Sequence, residues 1–191
     1  MLSQEEILNM FTSCEALLEG HFLLSSGLHS NRYIQCAKVL QYPEYATKLA
    51  RELAERFLGK GIKAVVGPAL GGIIVAHEVA RWLNARALFT ERQDNFMTLR
   101  RGFSIGQGEK VLVVEDVITT GGSVQEVIEV VQKSGGKVEG VGVLVDRSGG
   151  HVRLDYPVES LLSLTVETFS AEECPLCRAG IPLVKPGSRK V

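Results

Sequence analysis

A chain of 191 residues, with 45% apolar and 23% charged side chains, has the size of one domain with modest appendages. Its formal net charge of −1 gives no electrostatic reason to expect nucleic acid or an anionic membrane as a partner, and it has no run of 18 apolar residues to cross a bilayer. The opening MLSQEEILNMF carries glutamates and no basic residue, the reverse of a secretory signal, so the four cysteines are expected as reduced thiols in a cytoplasm.

Residues 3–18 read as a helix, with Ser3 as N-cap and Glu6 closing a capping box. Residues 21–24 and 32–36 read as short strands around the turn SSGLHSN. Ala46, Leu49, Ala50, Leu53, Ala54, Phe57 and Leu58 share one face of a helix running to about Gly59. A buried strand at 62–66 leads through GPALGG into a helical stretch at 73–83, and 85–90 is a further strand. Another strand spans 110–115. Behind it Val124, Val127, Ile128 and Val131 mark a helix ended by Gly135-Gly136, and 138–145 is the next strand. Strands alternating with helices predict an α/β fold, its central sheet mostly parallel and covered on both faces. Beyond Asp155 the pattern weakens, and that part is expected to cap the core. A single domain follows, with its core at about 41–154 and a small hood from about 1–40 and 155–191.

The most informative segment is VLVVEDVITTGGS at 111–123. It orders an apolar strand, two carboxylates (Glu115 and Asp116), a hydroxyl- and glycine-rich turn, and a helix start. In an open α/β sheet ligands sit where strands end and helices begin. Backbone N–H groups at a helix N-terminus suit a phosphate, while carboxylates suit vicinal sugar hydroxyls. The combination reads as a sugar-phosphate site; Thr120 or Ser123 could also cap the helix, which is compatible with binding a phosphate there. GPALGG stands at the end of its own strand and opens onto the same edge; taken alone, it could be a structural connection. The stretch ERQDNFMTLRRGFSIGQGE, with Arg92, Arg100 and Arg101, shows no core pattern. It reads as a solvated excursion or as a mobile cationic lid hinged at glycines 102, 106 and 108.

The acidic pair followed by VITTGGS resembles the phosphoribosyl pyrophosphate (PRPP) motif of the type I phosphoribosyltransferases. FLLSSGLHSNRY at 22–33, GPALGGI at 67–73, ERQDNFMTLRRGF at 91–103 and VLVDRSGG at 143–150 are similar, in that order, to orotate phosphoribosyltransferases. The resemblance implies a Rossmann-like core and transfer of ribose 5-phosphate from PRPP to N1 of orotate. The products would be orotidine 5′-monophosphate and pyrophosphate, in pyrimidine synthesis. It implies that Glu115 and Asp116 hold the ribose hydroxyls and favour an oxocarbenium-like transition state. Thr119, Thr120, Gly121, Gly122 and Ser123 would wrap the 5-phosphate, Val117 and Ile118 would belong to the same PRPP site, and Gly71 and Gly72 would face pyrophosphate. Mg2+ would be held mainly by PRPP itself. Arg147 would serve the orotate carboxylate, unless it pairs with Asp146 or another acid, and Thr119 would meet the ring. Ser25, Ser26, Tyr33 and Ile34 match the family's hood over the base, with ordinary packing the alternative for Tyr33. The family forms homodimers with shared sites.

The chain departs from the usual family pattern where loop lysines are replaced by Arg92-Gln93-Asp94-Asn95-Phe96 and a hood lysine by Ser25. Arg92, Arg100 or Arg101 would then serve pyrophosphate, in a partner's site. Cys174-Pro-Leu-Cys177 is half of a zinc ligand set without a second pair at suitable spacing, so free thiols are expected. Histidines 21, 29, 77 and 151 show no ligand spacing, and the terminal KPGSRK reads as a solvated tail. A phosphoribosyltransferase for a purine or uracil, and a PRPP-sensing regulator, are the alternative functions.

Overall fold

The computed structural model of the chain describes residues 2–24 and 26–186. Helix α1 (Gln4–Ser13) begins with the expected capping box: Ser3 Oγ accepts from the Glu6 N–H, and the Glu6 carboxylate accepts from the Ser3 N–H. It stops five residues short of the sequence expectation. Glu15 takes a left-handed φ of 51°, and the chain enters strand β1 (Leu17–Leu23), which pairs antiparallel with β2 (His29–Ile34). A short α2 (Ala37–Leu40), not anticipated from the sequence, leads to α3 (Pro43–Glu55), whose Leu49, Ala50, Leu53 and Ala54 are buried.

The core then alternates as expected: β3 (Ala64–Pro68), α4 (Gly71–Leu83), β4 (Arg86–Gln93), β5 (Phe96–Leu99), β6 (Lys110–Ile118), α5 (Gly122–Lys133) and β7 (Lys137–Asp146). After it come β8 (Val158–Ser163), β9 (Thr168–Phe169) and α6 (Pro175–Arg178). The six-stranded sheet has the order β5-β4-β3-β6-β7-β8, parallel except for β5. Alternate residues of one strand enter opposite layers. Val65, Leu112 and Val114 pack with α3 and α4, while Ala64, Val66, Val111 and Val113 pack with α5. Both faces are covered, which is why these strands read as unbroken apolar runs.

Two expectations change. The segment after Thr90 is half strand rather than loop, because Asp94 and Asn95, at φ 50° and 68°, turn β4 back on β5. This is the left-handed pair that two-residue hairpins require, and Met97 and Leu99 reach the α5-side core. The hinge glycines are tied down at two points: the Gly106 N–H donates to Glu109 and the Gly108 N–H to Gly135. Beyond 155, β8 joins the main sheet beside β7, so the sheet extends past the boundary drawn at 154. The smaller antiparallel sheet β1-β2-β9 stands over one edge, and Val184 exchanges backbone hydrogen bonds with His21 and Leu23.

Candidate active site

Strand order reverses between β3 and β6. From β3 the chain crosses through α4 to β4 on one side, and from β6 through α5 to β7 on the other. Such a switch point opens a crevice beyond the carboxyl ends of the two strands. Both connections ending there belong to the motifs singled out in the sequence, GPALGG and EDVITTGGS.

Each connection starts a helix without a side-chain cap. Gly121 is the N-cap of α5, in a left-handed conformation (φ 82°) that a Cβ would strain, and neither Thr120 nor Ser123 caps the first turn. The first-turn N–H groups, with the positive end of the helix dipole, are therefore available to an anion. Leu70 is the N-cap of α4, again with no side-chain cap, and the Ala69–Leu70 peptide before it is cis.

The two-residue strand period divides the acidic pair. Glu115 is buried and, with Thr119, Thr120, Gly121, Gly122 and Ser123, lines a hollow of about 50 Å³ at the start of α5. Asp116 lines the larger cleft of about 1290 Å³. The Asp116 N–H donates to Glu115 at 3.1 Å, and the Asp116 carboxylate accepts from the Val117 N–H at 2.9 Å. Burial pushes the Asp116 carboxyl above its ordinary pKa, against these hydrogen bonds. A methyl group at Gly71 would fall within 2.6 Å of the Asp116 carboxylate, so only a glycine lets the α4 start approach it this closely. Hard carboxylate oxygens beside an uncapped helix start suit a magnesium ion carried on a polyphosphate.

Arg147 follows β7 and lines the same cleft with Tyr33, Ile34, Asp116 and Thr119. Its Nε is buried without a hydrogen-bond partner, and burial lowers its pKa from the ordinary guanidinium value. The salt bridge to Asp146 does not form: Asp146 accepts from the Ser148 N–H instead, and Arg147 has no ion pair among the described residues. Ser26 also lines the cleft, whereas Ser25 lies outside the described residues. The sequence reading missed His151, Arg153 and Lys185, which line the cleft as well. Lys185 remains exposed, but the backbone pairing of Val184 with the hood sets it at the rim of the cleft rather than in a free tail. The remainder of that tail, residues 187–191, lies outside the described residues.

The loop arginines do not reach this cleft within their own chain. Arg92 pairs with Glu126 at 2.9 Å, and Arg101 binds Glu91 through two hydrogen bonds of 2.8 Å. Those bonds hold the Glu91 carboxyl below its usual pKa. The exposed Arg100 side chain makes no hydrogen bond or ion pair among the described residues.

Residues 38–175 match the model of the phosphoribosyl transferase domain family. The chain is 59% identical, over 190 residues and the full length of both proteins, to the orotate phosphoribosyltransferase of Caldanaerobacter subterraneus subsp. tengcongensis. It belongs to the orotate phosphoribosyltransferase family. The family's protein from Pelotomaculum thermopropionicum is 61% identical over 190 residues, again across both full lengths. Among solved structures, the orotate phosphoribosyltransferase of Aeropyrum pernix has the same fold, with a TM-score of 0.68 and 29% identity over 83% of this chain and 93% of that one. The Mycobacterium tuberculosis H37Rv enzyme, solved in complex with inorganic phosphate, matches with a TM-score of 0.65 and 25% identity over 84% and 95% of the two chains.

Proposed function

We propose that the chain catalyses Mg2+-dependent transfer of ribose 5-phosphate from PRPP to N1 of orotate, giving orotidine 5′-monophosphate and pyrophosphate for pyrimidine synthesis. The observation that carries this reading is the pair of uncapped helix starts flanking Asp116, with the unpaired Arg147 in the same cleft. The 5-phosphate takes the N–H groups of the α5 start, around Thr119–Ser123. Pyrophosphate takes the α4 start at Gly71 and Gly72. Glu115 and Asp116 accept the ribose hydroxyls and stabilise positive charge on the sugar as pyrophosphate departs. Mg2+ would be held mainly by PRPP, with Asp116 as a candidate protein carboxylate for it, and would neutralise charge on the leaving group.

Arg147 receives the orotate carboxylate, a planar anion matched to a guanidinium fork. Thr119 meets the ring, with Tyr33 as its apolar wall and Ser26 on the hood. Arg100, whose side chain is uncommitted in its own chain, serves pyrophosphate in a partner's site within a homodimer. Exposed Leu70, Ile74 and Trp82, on or beside α4, are consistent with a covered subunit face. The four unbridged cysteines fit a cytoplasmic setting, and no described helix is long and apolar enough to cross a membrane.

The test is base selectivity. With PRPP and Mg2+, orotate absorbance is expected to fall, while adenine, hypoxanthine and uracil are left intact. Consumption of a purine or uracil in place of orotate would overturn the base assignment, and PRPP binding with no base consumed would make the chain a sensor.

A further inference from the structure

Outside the cleft, four side chains that the transfer reaction does not use converge from three parts of the sequence. They are His21 on β1, His29 on β2, and Cys174 and Cys177 at the start and within α6. Their ligand atoms all lie within 4.8 Å of one another, and His21, His29 and Cys174 are buried. His21 Nε2 is 3.5 Å from Cys174 Sγ and 3.7 Å from Cys177 Sγ; His29 Nδ1 is 3.3 Å from Cys177 Sγ and 2.9 Å from His21 Nε2. Zinc bonds of about 2.3 Å to sulfur and about 2.0–2.1 Å to nitrogen give a tetrahedron whose N···S edges are about 3.5 Å and N···N edge about 3.4 Å. These four separations sit around those edges, with the imidazole pair somewhat tighter.

The outer contacts agree with that geometry. His21 Nδ1 lies 2.8 Å from the carbonyl oxygen of Ile181. A carbonyl only accepts, so Nδ1 carries the proton and the Nε2 lone pair faces the cluster. This is the usual outer partner of a metal-bound histidine. We propose that His21, His29, Cys174 and Cys177 bind one zinc ion. Two thiolates and two imidazoles suit zinc and not magnesium, and four protein ligands fill the tetrahedron, which makes the site structural rather than catalytic. The sequence showed only the Cys-x2-Cys half, because His21 and His29 stand eight positions apart and far upstream of the cysteines, and meet them only when β1 and β2 fold as a hairpin.

The ion would cross-link both ends of the chain. It would fasten the segment from Cys174 to Ile181 to the hood hairpin, three residues before Val184 bonds to His21 and Leu23 and just before Lys185 reaches the rim of the cleft. Metal binding of this kind contributes directly to folding.

The test uses the full chain purified without chelator, with elemental analysis. We expect about one zinc per chain, with Cys174 and Cys177 protected from a thiol reagent until a strong chelator removes the metal. Cobalt added to the stripped protein should give the visible absorption of a tetrahedral thiolate site. Cys177→Ser and His29→Ala should each retain less than a tenth of the zinc, whereas Cys14→Ser should keep it all. Should either ligand variant fail to fold, the stripped wild-type chain still decides through its cobalt spectrum. Absence of zinc with no cobalt spectrum overturns the proposal, as does full zinc retention in either folded ligand variant. Iron with acid-labile sulfide in its place would do the same.

Discussion

Arg147 enters the cleft with a buried, unpaired Nε and a pKa lowered by burial, a costly arrangement unless an anion completes it. Arg147→Ala is expected to raise the KM for orotate about 10–100-fold, the range for a hydrogen bond to a charged group of about 1.5–3 kcal/mol, while leaving PRPP affinity near wild type. Equal loss of affinity for both substrates would remove Arg147 from the base side. Asp116 presents the opposite balance. Burial raises its folded-state pKa, so the folded chain holds that proton more tightly than the unfolded chain. Its contribution to stability is present below the ordinary carboxylate pKa of about 3.9 and is lost as pH rises through the raised value. Asp116→Asn removes that loss. Melting curves should find the variant at least as stable as wild type at neutral pH, with its advantage shrinking on acidification. Its turnover should fall about 10²–10³-fold, as when one transition-state charge partner is removed. A variant less stable than wild type at pH 7 would show that the carboxylate serves the fold.

At the scale of elements, the two helix starts carry the donor site. Gly71→Ala sets a methyl against the Asp116 carboxylate. The end of that side chain can yield, so folding should survive while turnover drops. Gly121→Ala is strained by its φ of 82° and meets Val152 at 3.1 Å, which should cost about 1–2 kcal/mol of stability and weaken PRPP binding in a calorimetric titration. These elements were legible because strand, turn and helix follow one another within 111–123 and need no distant partner. The β4–β5 hairpin was hidden, since its turn is Asp94-Asn95 without a glycine and its inward Met97 and Leu99 alternate with exposed or polar neighbours. The positions of Lys185 and of His21 beside Cys174 were also hidden. Both depend on pairing between the two ends of the chain, and no local pattern records that.

For the whole molecule, the three loop arginines divide by what already holds them. Arg92 and Arg101 are bound to Glu126 and Glu91 in their own chain, whereas Arg100 makes no hydrogen bond or ion pair among the described residues and only adds its charge to that of Arg101 near Glu91. Arg100→Ala should therefore lower turnover more than Arg92→Ala or Arg101→Ala. If Arg100 serves a partner's site, mixing inactive Arg100→Ala and Asp116→Asn dimers, with exchange of subunits, creates one complete site in each mixed dimer. If the chain is a homodimer with shared sites, activity should return to about a quarter of wild type, since half the dimers are mixed and each holds one complete site; no recovery would confine Arg100 to its own subunit. On the proposed function, the central claim is that donor and acceptor meet in the cleft lined by Asp116, Thr119, Thr120 and Arg147. Its most direct measurement is the yield of orotidine 5′-monophosphate and pyrophosphate from PRPP, orotate and Mg2+ with the wild-type chain. The prediction is equal amounts of both products, matching the orotate consumed. Pyrophosphate without the nucleotide, or neither product while PRPP stays bound, would contradict it.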